Sequence, residues 1–285
     1  MSGTGAFFQG LPRAAQRPGL TLALAASTAG ATLLFAGPFF LALRGAWSGQ
    51  AGGAEFLSRG DLLPLLEALE AAKFSTLAGA LITSAILMFL ALRLFLAGGI
   101  FSSLHPSGGA GLNDSFFGQC ARYFWQFLAH AILNSLYAGA LLIVAGIVAS
   151  ALKKIGEKAD TPNVALLTQL AAALCIWLAL SLSARALDLG RAHIMNRGGF
   201  RPLDALLTGV RGTLGHPISA LGLSLWGGIA RLLLFAIWFG LDLPLHIHGP
   251  ATWLVACVLL LIYLLLSSFL RVTLAAGAYV LLERR

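Results

Sequence analysis

LALRLFLAGGI, residues 90–100, sets a single arginine, Arg93, in a run of leucine, alanine and phenylalanine. Read outward, Arg93 is the sole charge between Phe74 and Phe101. About 20 apolar residues suffice to carry a helix across a bilayer, so this stretch predicts a membrane span with an arginine near one end. The whole chain agrees. Its 285 residues are 58% hydrophobic and only 11% charged, with a mean hydropathy of +0.86. Soluble domains carry about 25% charged residues, and a globule of this size could not hide so much apolar surface. The apolar runs are long rather than alternating, which predicts helices, the form that satisfies every backbone N–H and C=O within lipid.

The expected fold is therefore an all-α integral membrane protein of six spans, at roughly 20–43, 74–101, 123–150, 164–187, 217–241 and 251–282. The first span is expected to be retained rather than cleaved as a signal peptide, and Gly37-Pro38 to bend or end its helix. With the N-terminus inside, twelve of the nineteen basic residues fall inside, six outside, and Arg231 within the fifth span. Seven of the eleven acidic residues fall outside. By the positive-inside rule both termini are expected to be cytoplasmic, and the net charge of +8 to face anionic lipid rather than nucleic acid.

The opening arginine recurs. Residues 182–192, LSARALDLGRA, and 268–278, SFLRVTLAAGA, repeat an Arg (Arg185, Arg271) with a glycine five or six residues on. FFQGLPR at 7–13, FFGQCAR at 116–122 and LLTGVR at 206–211 rhyme ahead of the first, third and fifth spans. The chain reads as one membrane domain, 1–285, of three pseudo-repeated hairpins, approximately 5–105, 112–195 and 203–285. Each hairpin is led by an inner-face amphipathic helix. Arg93, Arg185 and Arg271 would snorkel to the inner interface or together hold an anionic headgroup, with Arg231 beside them.

Gln126, His130, Asn134 and Tyr137 recur every three or four residues, which places them on one helix face. Lipid exposure of such a face is costly, so it should look inward, bonding to other helices or lining a polar path. The most basic inside stretch, 188–216, carries Arg191, Arg197, Arg201 and Arg211 around an apolar stripe of Leu203, Leu206, Leu207 and Val210. It reads as an interfacial helix lying on anionic lipid, or as a docking surface.

No P-loop, HExxH or GxSxG occurs. Cys120, Cys175 and Cys257 are scattered, and His246, His248 and Asp242 are too few for a metal. Neither enzyme activity, metal nor cofactor is expected. The expected role is binding or moving an anionic lipid-like molecule at the inner face. The alternative is a structural or assembly subunit that meets membrane-protein partners or a second copy of itself.

The six-span layout and residues 184–223, ARALDLGRAHIMNRGGFRPLDALLTGVRGTLGHPISALGL, resemble the membrane domain attached to some glycerophosphodiester phosphodiesterases and the YciC-like bacterial proteins. In that group a span ends in an Arg-containing turn, crosses a short basic amphipathic segment and re-enters after His-Pro or Arg-Pro. Arg185, Arg211, His216 and Pro217 are the matching positions. The resemblance implies a bacterial inner-membrane location. The catalytic phosphodiesterase domain has no counterpart here, so hydrolysis does not carry over.

Overall fold

The structure is a computed structural model. It describes residues 2–47, 72–105, 116–158, 161–197, 201–242 and 250–283, without side-chain detail at 35–47, 72–78, 81–82, 162, 241–242 and 250–253. The described residues form eight helices and no strand: α1 Gly3–Ala15, α2 Pro18–Trp47, α3 Ala72–Leu104, α4 Phe116–Glu157, α5 Pro162–Arg197, α6 Pro202–Gly215, α7 Pro217–Asp242 and α8 Pro250–Glu283. Five of them start on a proline, which lacks an N–H that the first turn could not have bonded anyway. Five helices are long and apolar enough to cross a membrane: α3, α4, α5, α7 and α8. Helix α2, the expected first span, has described side chains only as far as Leu34. Its backbone stays helical through Gly37-Pro38 to Trp47, so that pair does not end it. The outer stretch at 61–71, the glycines at 107–112 and the histidines at 246 and 248 lie outside the described residues.

The expected amphipathic helices ahead of the first and fifth spans are present as α1 and α6. The one expected near 116–122 is not separate, because those residues begin a 42-residue α4. The cause is local. Pro18 and Pro217 interrupt the chain after α1 and α6, whereas nothing between Arg122 and the following span breaks a helix. At 1.5 Å per residue α4 is about 63 Å long, some twice the thickness of a hydrocarbon core.

The chain divides into two compact units. The first comprises Met1–Leu20, Leu94–Arg231 and Phe269–Arg285, and the second Thr21–Arg93 and Leu232–Ser268. In the first, α4 packs along α5, and α6 lies on α5 and reaches α4. Its core joins Leu96, Ile100 and Phe101 of α3, Cys120 and Phe127 of α4, and the unbroken buried run Val272–Val280 of α8. The Tyr279 hydroxyl donates to the Phe101 carbonyl at 2.8 Å, satisfying one of the carbonyls that the last turn of α3 leaves open. Helix α1 is capped by Ser2, whose Oγ accepts from the Gly5 amide. It buries Ala6, Phe7, Gly10 and Ala14, with Phe7 stacked on Trp226 and packed against Leu223 and Leu274.

In the second unit Ser27, Thr28 and Thr32 donate their hydroxyls to carbonyls four residues back, at 2.7, 2.8 and 2.9 Å. These three side chains of α2 thus bond to their own helix, as a lipid setting favours, while the buried Thr21 hydroxyl has no hydrogen-bond partner among the described residues. Trp238 of α7 packs on Tyr263 of α8 with ring centroids 5.5 Å apart.

Candidate functional site

The polar face expected on α4 is there. His130 and Asn134 are buried, and Gln126 and Tyr137 are half-buried. Opposite them stands α5. Asn134 Nδ2 donates to Ser183 Oγ at 3.1 Å, and His130 Nε2 lies 3.3 Å from the Leu187 carbonyl. A carbonyl only accepts, so this contact calls for the proton on Nε2. His130 fits because Gly190 has no side chain: a Cβ there would collide with the imidazole and crowd the Ala205 carbonyl of α6. Gln126 Oε1, Asn134 Oδ1 and Tyr137 Oη are buried and have no hydrogen-bond partner among the described residues.

Among these same α5 residues the charges begin. Arg185, buried, places Nη1 3.1 Å from Asp188 Oδ2, and Arg191 Nη1 lies 3.8 Å from Asp188 Oδ1. The Arg191 guanidinium also stands over the Phe127 ring, 5.7 Å from its centroid. Asp188 is thus shared by two arginines at i−3 and i+3, a spacing readable from sequence.

A second carboxylate cluster follows at the end of α5. Asp204, in the first turn of α6, accepts at Oδ2 from His193 Nε2 at 3.1 Å and from Arg197 Nη1 at 3.2 Å. These residues, with Ile194 and Arg201, line a cleft of about 210 Å³. The hydrogen bond from His193, aided by the Arg197 charge, holds the Asp204 carboxyl below its ordinary value against the opposing effect of its partial desolvation. Helix α6 turns Ala205, Gly209, Gly212 and Thr213 inward and leaves Leu203, Leu207 and Leu214 exposed, with Arg211 exposed beside them. A Cβ at Gly209 would strike the Ala186 carbonyl, so this glycine sets how closely α6 lies on α5.

The chain matches no family model, curated protein or solved structure.

Of the expected headgroup residues, Arg185 sits in the Asp188 cluster. Arg93 belongs to the second unit, exposed, with its guanidinium 5.3 Å from the Phe89 ring centroid. Arg271 is half-buried at the start of the buried α8 run, and Arg231 is exposed on α7. Of the expected inner-face surface, Arg197 and Arg201 meet at the cleft, Arg211 lies further along α6, and Arg191 is buried against Asp188 and Phe127. Sequence reading gave no site role to Ser183, Asp188, His193 or Asp204. Asp188 had a local signal in its spacing. His193 and Asp204 are eleven residues apart on two different helices, and no helix periodicity links them.

Proposed function

We propose that this chain is a non-enzymatic, multi-pass membrane protein that binds an anionic lipid-like molecule at its cytoplasmic face. The observation that carries the reading is α6. It is joined within a few residues to two helices long enough to span, its small-residue face is buried, and its leucines point outward beside Arg197, Arg201 and Arg211. Leucines at the acyl boundary with arginines at headgroup level are what a helix resting on anionic lipid needs. The pairing of Arg185 with Asp188 supports a structural role for that arginine. Arg93 and Arg271 take the part of interfacial anchors to phosphate and water, and Arg231, midway along α7, lines the ligand's surroundings.

The six-span, three-hairpin layout with both termini inside belongs to the same proposal, as does the bacterial inner-membrane location implied by the resemblance to YciC-like proteins. Three contacts support the repeat. The glycine after Arg185, Gly190, closes on α6 at Ala205, and the one after Arg271, Gly277, closes on α1 at Ala6. After Arg93, Gly98 lies on the backbone of α4 at Cys120. The unpaired oxygens of Gln126, Asn134 and Tyr137 favour a polar route beside α4, and with it movement of the ligand as well as binding.

Native mass spectrometry of the full chain released from its membrane tests the binding. Retained anionic lipid that is lost when Arg197, Arg201 and Arg211 are all changed to Gln supports it. A lipid-free protein, or one carrying a fixed number of partner chains on this face, overturns it.

A further inference from the structure

Two guanidiniums and an imidazole surround a single carboxylate at the α5–α6 cleft. Unlike the two arginines buried on Asp188, both guanidiniums here are exposed. Arg201, at the N-cap of α6, is exposed, and no carboxylate lies within ion-pair distance of it among the described residues. Arg197 spends one nitrogen on Asp204 and is itself well exposed, leaving the rest of its fork open. The surplus positive charge therefore faces a recess, not a partner.

We propose that the cleft lined by His193, Arg197, Arg201 and Asp204 binds a phosphoryl group. This names a site within the lipid-binding reading and rests on it only for where the phosphoryl group comes from.

The chemistry fits in three respects. Guanidiniums present planar forks that match phosphate oxygens, and two of them reach the cleft from α5 and from the start of α6. Asp204 acts as a positioning residue. By accepting from both His193 and Arg197 it fixes the imidazole and one edge of the guanidinium, so less freedom is lost when an anion arrives. The cleft is also of headgroup scale, about 210 Å³, and open rather than sealed in the core. The phosphoryl group can arrive on a phosphomonoester lipid or as free phosphate, since the same donors meet the same oxygens.

The test is calorimetry on the full chain in nanodiscs of zwitterionic lipid, titrated in one arm with inorganic phosphate and in the other with short-chain, water-soluble phosphatidic acid. Saturable binding in either arm is expected, weakened at least about tenfold by Arg201→Gln, since a charged hydrogen bond contributes that much or more. Arg201→Lys keeps the charge without the fork and should fall between. Equal affinity in both arms assigns the site to free phosphate, and binding of phosphatidic acid alone assigns it to lipid. No saturable binding in either arm, or an Arg201→Gln protein that binds as tightly as wild type, overturns the site. If the site fails while native mass spectrometry still finds anionic lipid that depends on Arg211, the broader reading stands. If no anionic lipid is retained, that reading falls whatever the cleft binds.

Discussion

Helices α1 and α6 are each laid against the last turns of a long helix, α8 and α5 respectively, and the two contacts use the same parts to different ends. Gly10 of α1 leaves no room for a Cβ beside the Thr273 carbonyl, as Gly209 of α6 leaves none beside Ala186. Each contact is clipped by an ion pair twelve residues beyond the repeated arginine, at Glu283 after Arg271 and at Arg197 after Arg185. There the likeness ends. The α1 contact carries a large apolar anchor, Phe7, and a bidentate one-to-one pair, Arg13 with Glu283 at 3.2 and 2.9 Å. The α6 contact buries only small residues and keeps excess positive charge around Asp204. One contact is closed and electrically balanced, and the other is thin and open. A shared backbone geometry can thus serve fastening at one place and leave a binding-competent edge at another.

The largest break in this comparison should come from Phe7→Ala. Emptying a buried aromatic site costs about 3–5 kcal/mol, so thermal unfolding in detergent should shift strongly. Leu207→Ala, on the exposed side of α6, should leave the transition nearly in place. Next in size, Gly10→Leu and Gly209→Leu should cost similar amounts, on the order of 1–3 kcal/mol, because backbone carbonyls cannot step aside. Protease sensitivity should rise around α1 in the first and around α6 in the second. A large effect at only one glycine would mean the two contacts are not built alike.

Smaller still is Arg13→Gln. The pair is partly exposed, so its loss should cost below about 1 kcal/mol and shift the melting transition only slightly. The smallest effect concerns acid. The Asp204 carboxyl is held below its ordinary value, so its contribution to the α5–α6 clip is complete above the unfolded carboxylate range, near pH 4. It is lost as the pH falls through the depressed value. Protection of the Pro202–Gly215 amides, taken relative to the intrinsic exchange rate at each pH, should therefore fall below about pH 4, and Asp204→Asn should remove that dependence. An Asp204→Asn protein with an unchanged acid response would place the sensitive group elsewhere.

Much of this was legible in the chain. Composition and run length are enough for membrane helices because lipid leaves the backbone few alternatives, and the polar face of α4 followed from spacing alone. The merger of the 116–122 segment into α4 was also readable in principle, since it turns on the lack of a proline after Arg122. The cleft was not. His193 and Asp204 sit on different helices, and their approach depends on the angle at which Gly209 lets α6 meet α5. Arg185 was placed at the interface on its apolar surroundings, although Asp188, three residues away, is a carboxylate where Leu96 and Leu274 stand at the matching positions after Arg93 and Arg271.

The first unit is gathered from three stretches, set apart by residues 21–93 and 232–268. The residues that α1 rests on, Thr273, Gly277 and Glu283, are made some 260 residues after it. During that interval Phe7 has no cover from α8. A nascent chain halted before α8 would present that uncovered face, giving the cell a direct means of telling an unfinished molecule from a finished one.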